Sequence, residues 1–186
     1  MLAGEFADTS VTVDNLRFYP IRETDLRDLA RWPKFTEKSL IWANFPAATS
    51  ELQRRWLLHQ KQNHIVWIMV RDQDGELIGR CSITQPISSN EVMYGIVLRP
   101  DMVEKGLGTQ ITRIVVAYIF EVTDADVVWL ESKYNNERAL NTWRKVGFQE
   151  LGYHFRREVS GQYDKYIGFR FPREWADRLP KLEIHR

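Results

Sequence analysis

The sequence predicts an α+β (mixed α/β) fold: a central, mostly antiparallel sheet of about six or seven strands, flanked by helices. Three observations predict it. Segments rich in Ile, Val and Trp follow one another through very short connections between residues 64 and 98. A long apolar segment, residues 109–122, then follows a glycine-containing loop. Beyond it, helical and strand patterns alternate to the end of the chain.

Residues 1–10 read as a flexible tail and residues 11–186 as a single domain. Residues 16–20 alternate and end at Pro20, the pattern of an edge strand. Thr24 can cap a short helix reaching about Trp32, with Leu26 and Leu29 on one side. Residues 33–48 are irregular and aromatic. Ser50 can cap a second helix to about Gln62, with Leu52, Trp56 and Leu57 spaced for one face. Residues 64–70 read as a strand, and Asp72-Gln73-Asp74-Gly75 is a strong turn signal. Residues 76–84 and 91–98 complete three consecutive antiparallel strands. Residues 109–122 contain β-branched side chains that would suit a strand, but their length favours a buried helix. Residues 127–130 form a short apolar strand. Residues 137–146 read as a helix closed by Gly147, and residues 148–157 and 163–171 as a final antiparallel pair.

Composition narrows the function classes. With 186 residues, 44% hydrophobic and 27% charged, the chain has the make-up of a soluble globular domain. The 26 basic and 25 acidic residues leave a net charge of +1, which gives no electrostatic case for nucleic acid. Cys81 is the one cysteine, so no internal disulfide can form, and with four histidines no metal cluster is expected. The longest apolar run, residues 114–120, is too short to cross a bilayer. Residues 1–10 lack the basic flank and apolar stretch of a signal peptide. A cytoplasmic protein is expected.

The sharpest local signal is Glu104-Lys105-Gly106-Leu107-Gly108-Thr109, after a strand and before the long helix. A helix start leaves unpaired N–H groups and a partial positive charge. Glycines there let a phosphate approach closely. It is not a P-loop, because no Gly-Lys-Ser/Thr follows at the required spacing, and the dinucleotide fingerprint lacks its third glycine. The second signal is residues 136–148, a helix carrying Asn136, Ala139 and Trp143 three and four apart along one stripe. A polar, a small and a ring-bearing residue in that order suit a groove for something long and thin. Taken singly, that stripe also fits an ordinary packing face with an Asn cap.

Together the two segments resemble the GNAT superfamily of acyl-CoA-dependent N-acyltransferases, over about residues 91–148. The second family motif, Asn-x-x-Ala-x-x-x-Tyr-x-Lys-x-Gly-Phe, is matched at Asn136, Ala139, Lys145, Gly147 and Phe148. The resemblance implies a splayed sheet and transfer of an acetyl group from acetyl-CoA to a small-molecule or protein amine. It implies that backbone groups of Ile96, Val97 and Leu98 pair with the pantetheine arm. The amides of Val103, Glu104, Lys105, Gly106, Leu107, Gly108 and Thr109 would hold the pyrophosphate. Asn136, Ala139 and Trp143 would flank the arm, which lies between the diverging strands at residues 91–98 and 127–131. No metal is implied. Two departures stand out. Val103 and Glu104 replace the family's usual Arg or Gln and Gly, and an acid beside a pyrophosphate is unfavourable unless it points to solvent. Trp143 replaces a tyrosine that protonates the leaving thiolate, and an indole N–H is no proton source.

The expected chemistry is direct attack of a neutral amine on the thioester, with positioning as the main catalytic effect. Glu91 is the first candidate for the base that deprotonates the amine, Glu131 the second, and Tyr94 a candidate proton donor or orienting group. A backbone N–H near Val97 or Leu98 would polarise the carbonyl. Cys81, on a central strand, reads as a small core residue rather than an acyl carrier. Residues 173–186 read as a surface helix or as part of a homodimer contact. Two competing readings remain at this level. One is a catalytically weak or inactive acetyl-CoA-binding module; the other is a phosphate- or nucleotide-binding protein unrelated to coenzyme A.

Overall fold

The computed structural model describes residues 10–37, 40–45, 49–84, 90–158 and 161–182. Most of the expected tail, residues 46–48 of the irregular stretch and residues 183–186 of the terminal segment lie outside them. The centre is one eight-stranded sheet in the order β1-β2-β3-β4-β5-β6-β8-β7. Its strands are β1 (Val11–Val13), β2 (Leu16–Pro20), β3 (Ile65–Arg71), β4 (Leu77–Thr84), β5 (Glu91–Leu98), β6 (Val127–Lys133), β7 (Gln149–Arg157) and β8 (Tyr163–Pro172). All neighbouring pairs are antiparallel except β5 and β6. The mostly antiparallel sheet is as expected, with one strand more than the pattern suggested. The extra strand is β1, which pairs Val11 with Phe18. It turns back through Asp14 and Asn15, both with positive φ, residue types that tolerate that conformation. In consequence β2, expected at an edge, lies inside the sheet.

Helices cover both faces. On one face lie α1 (Asp25–Arg31) and α2 (Ser50–Gln62), and on the other α3 (Leu107–Val122) and α4 (Glu137–Val146). The face under α3 and α4 is the larger core. Here Ile111, Ile114, Val115 and Ile119 of α3 meet Val92, Tyr94, Val128 and Leu130 of the sheet. The β-branched run of α3 is helical because a sixteen-residue segment with a continuous buried stripe fits the sheet only as a helix. α4 buries Leu140, Trp143 and Val146, spaced along one face, and ends at Gly147 with φ 103°. The opposite face seats Leu26, Leu29, Trp32 and Phe45 over Met69, Leu77 and Val97.

Capping differs from the sequence expectation at two helix starts. Thr49, one residue before Ser50, caps α2 by accepting from the Leu52 amide. Thr24 makes no side-chain cap. Instead, Asp25 in the first turn of α1 accepts from the Arg22 amide at 2.8 Å. The same buried carboxylate accepts from the Tyr19 hydroxyl at 2.7 Å and from Arg71 at 2.8 Å, which ties α1 to β2 and β3. No described helix is long and apolar enough to cross a membrane.

Candidate active site

The site begins where the sheet splays. β5 and β6 pair only at Glu91↔Val127, Val92↔Val128 and Met93↔Trp129. Past Met93, β5 continues to Leu98 on β4 alone, while β6 continues on β8 to Lys133. A parted edge of this kind leaves backbone donors and acceptors at Ile96–Leu98 for an extended ligand to join as a strand. A groove of about 640 Å³ opens there, lined by Ile96, Val97, Leu98, the loop after β5, and Asn136, Ala139 and Trp143 of α4. The residues expected to flank a pantetheine arm are thus brought together along one channel.

The loop into α3 builds the far end of the groove. Glu104 and Gly106 have φ of 63° and 79°. Left-handed residues separated by one neighbour turn successive N–H groups toward a common side, a concavity that suits anions. α3 then starts with no side-chain cap, so the N–H groups ahead of Thr109 lack an intrahelical acceptor, while Thr109 itself donates to the Gly106 carbonyl at 3.1 Å. Val103, Glu104, Gly106, Gly108 and Thr109 line the groove. The Lys105 and Leu107 side chains do not: Lys105 is exposed and reaches Met102 Sδ, and Leu107 packs on the core. Their part in the expectation was their amides.

The acidic residue in this loop is neutralised. Glu104 forms an ion pair with Arg138 at 3.1 Å, and Glu37 lies 3.7 Å from the same guanidinium. Arg138 also lines the groove. It is the functional candidate the sequence reading missed, since it lies 34 residues from Glu104. Its place in the Asn136-Glu137-Arg138 start of α4 was the available signal. We predict that Arg138→Ala weakens acetyl-CoA binding about tenfold, through loss of one charge-assisted contact and release of Glu104 toward the phosphates. Calorimetric titration measures it.

Asn136 caps α4, its carbonyl oxygen accepting from the Ala139 amide at 3.3 Å. Trp143 stands upright in the groove wall, with its indole N–H donating to Ser132 at 2.8 Å and its ring edge-on to Tyr94 and Phe148. Its one donor is already used, so it shapes the wall. The three acid–base expectations are placed differently. Tyr94 faces α3, with its hydroxyl sealed between Cys81 Sγ at 3.5 Å and Thr112 at 3.2 Å. Burial pushes this phenol well above its ordinary value of 10, so the proton-donor role expected of Tyr94 has no route to the groove. Cys81 is fully buried, and burial pushes its thiol up to about 12, consistent with a core residue. Glu131 is committed to Arg156 and to His154 across the glycine gap at Gly168. Glu91, at the exposed start of β5, shares a strand face with Gly95 and Val97. Neither glutamate lines the groove.

A second space adjoins the first. A cavity of about 400 Å³ lies on the α2 side of the sheet, lined by Trp42, Trp56, Trp67, Arg80, Ser82 and Gly95 among others. The groove and this cavity share Trp42, Ile96 and Val97. A reactive carbon held at the end of the groove beside Val97 would therefore face whatever occupies the cavity.

A splayed mixed sheet, an uncapped glycine-led helix start and a strand edge open to an extended ligand together define an acyl-CoA-dependent acyltransferase. Residues 15–149 match the family model described as an acetyltransferase (GNAT) domain, and the chain belongs to that family. Among solved structures it is similar to the ribosomal-protein-S5-alanine acetyltransferase from Vibrio fischeri, with 16% identity and a TM-score of 0.69, over 93% of this chain and 100% of that one. It is also similar to the dodecameric spermidine N-acetyltransferase from Vibrio cholerae, with 18% identity and a TM-score of 0.68, over 88% of this chain and 96% of that one. At these identities the likeness carries the fold. Family and fold make the chain an acetyltransferase, and the fold uses acetyl-CoA generally. Among the described residues, no group of three or more His, Cys, Asp or Glu side chains could hold a metal ion.

Proposed function

We propose that this chain, as one domain over residues 11–186, moves an acetyl group from acetyl-CoA to a primary amine by direct attack on the thioester. The observation that carries this reading is the meeting of the anion-suited groove with the aromatic cavity at Val97. Acetyl-CoA, when bound, supplies an activated acetyl thioester. The amides of residues 103–109 hold its pyrophosphate, and the edge of Ile96–Leu98 pairs with its arm. The arm lies against Asn136, Ala139 and Trp143. A backbone N–H at Val97 or Leu98 polarises the carbonyl. The amine nitrogen bonds to the carbonyl carbon, the carbon–sulfur bond breaks, the proton lost by nitrogen passes to water, and the coenzyme A thiolate takes one from water.

The amine must first be neutral. A lysine-like amine is neutral to only on the order of one part in a thousand at pH 7. We assign the deprotonation to Glu91; six residues of strand, about 20 Å, separate it from Val97, so a chain of waters along the face they share carries the proton. Glu91→Gln then slows transfer at least tenfold at pH 7 and much less at pH 10, where solvent supplies the neutral amine. Matching pH–rate profiles for the two proteins would remove Glu91 from this role. The leaving thiolate takes its proton from solvent, since Trp143 is no acid. The similar spermidine N-acetyltransferase acts on an amine by name, which supports an amine acceptor. Assembly as a homodimer remains part of the proposal, and sedimentation tests it.

The deciding experiment measures thiol release from acetyl-CoA with a panel of amines, beside calorimetric titration with acetyl-CoA. Turnover on at least one amine is expected. Tight binding with no turnover on any amine would instead favour an acetyl-CoA-binding module. Heat protection by ATP or NAD but not by acetyl-CoA would contradict both.

A further inference from the structure

The cavity beside the groove contains a charge without a counter-charge. Arg80 lies in central strand β4 at 5% exposure. One terminal nitrogen donates to the Ala43 carbonyl at 2.8 Å. Its Nε–H is buried and has no acceptor. The guanidinium is surrounded by rings, 5.1 Å from the Trp67 centroid, 5.9 Å from Trp56 and 6.0 Å from Phe45. Among the described residues, no carboxylate pairs with it. Ring faces stabilise a cation partially, but a buried charge with an unmet donor is costly. Burial lowers this guanidinium to about 10, which still leaves it charged at neutral pH. Arg71 has carboxylate partners, and half-buried Arg173, which has none, donates from all three of its nitrogens to backbone carbonyls, so the unmet donor sets Arg80 apart. A buried cation on a cavity wall with an unmet donor marks a candidate ligand site.

Resting on the acetyl-transfer reading, we propose that the acceptor is a small primary amine that carries a carboxylate on an apolar body, as an apolar α-amino acid does. Arg80, the one cation among the cavity's lining residues, receives that carboxylate. Ser82, Asn44 and Gln60 add polar contacts to the same cavity, and Trp42, Trp56 and Ile41 supply its apolar walls. Since the cavity meets the groove at Val97, an amino acid anchored by its carboxylate at Arg80 can direct its nitrogen toward the thioester. The guanidinium would also favour the neutral form of a nearby amine, because like charges repel. A polyamine brings only positive charge to the same place and is disfavoured.

The test uses matched acceptors. Thiol release is measured with L-phenylalanine, L-phenylalaninamide and spermidine, on the native protein and on Arg80→Met. Calorimetry with N-acetyl-L-phenylalanine and its amide reads the carboxylate site without turnover. The amide's amine is the less basic, so more of it is neutral at pH 7, and a preference for the acid must come from the site. The native protein is expected to prefer the acid over the amide by about tenfold to a hundredfold in kcat/KM, the range for a hydrogen bond to a charged group. The preference should fall to near one in Arg80→Met, and spermidine should be the poorest acceptor. N-acetyl-L-phenylalanine should bind the native protein and lose that binding in the variant. Equal use of acid and amide by the native protein, or spermidine as the best acceptor, overturns the proposal while leaving acetyl transfer intact. No turnover on any amine, with Arg80-dependent binding of N-acetyl-L-phenylalanine, has the opposite meaning: the carboxylate site stands and the transfer reading falls. The native acid–amide comparison decides the matter even if Arg80→Met does not fold.

Discussion

Gly108→Asp lowers the affinity for acetyl-CoA by about a hundredfold, while the protein melts no lower than the native form. The two effects separate because they have different physical origins. Position 108 lies in the first turn of α3, where a carboxylate favours the helix dipole by roughly 0.3–1 kcal/mol. Space is available, since a Cβ at Gly108 would sit 3.5 Å from Thr142 Cγ2, an ordinary contact. The new charge would instead stand in the concavity that we assign to the pyrophosphate. Repulsion between a carboxylate and a phosphate a few ångströms apart near a protein surface is on the order of 3 kcal/mol, close to two decades of affinity. Gly108→Ala adds no charge and loses less than tenfold. Calorimetry and a thermal melt on the three proteins check the pair of outcomes. Unchanged affinity in Gly108→Asp would remove the loop from the phosphate role.

Asp25→Ala is expected to have the largest effect on stability, a loss of about 3–5 kcal/mol. Asp25 is 2% exposed and accepts from Tyr19, Arg22 and Arg71. Its removal leaves the Tyr19 hydroxyl without that acceptor and Arg71 with Asp28, which is better solvated, as its remaining carboxylate. For a protein of this size the melting temperature should fall by roughly 10 °C or more. The same cluster sets an alkaline limit. Burial, followed by the hydrogen bond to Asp25, pushes the Tyr19 phenol up from 10 to about 12. The folded protein therefore keeps a proton that the unfolded chain releases, and stability falls as pH rises from 10 to 12. Asp25→Ala should flatten that decline. Chemical denaturation across this pH range measures both effects, and a melting point within 2 °C of native would contradict the buried role given to Asp25.

The sequence was most informative where local chemistry decides structure. The loop at Glu104–Thr109 and the stripe Asn136, Ala139 and Trp143 could be read because glycine conformation, helix starts and helical spacing act over a few residues. Gly106 does adopt a positive φ, and Asn136 does cap its helix. The three-strand run from β3 to β5 was legible because short connections leave antiparallel pairing as the only option. The relations that were missed are long-range. Arg138 meets Glu104 across 34 residues, and Arg71 meets Asp25 across 46. Nothing in the local sequence Gly79-Arg80-Cys81 marks Arg80. Its significance lies in rings contributed by Phe45, Trp56 and Trp67, which only the folded sheet assembles around it. Tyr94 belongs with them, since the Cys81 and Thr112 partners that bury its hydroxyl come from a neighbouring strand and from α3.

The central claim is geometric: an arm threaded through the split between β5 and β6 delivers a thioester to Val97, where the groove meets the cavity. A crystal structure of the protein with coenzyme A tests it most directly. The account predicts pyrophosphate oxygens within hydrogen-bonding distance of amides among residues 103–109, and the arm paired with the edge of Ile96–Leu98. Coenzyme A bound elsewhere, or with its thiol directed away from Val97, would contradict it.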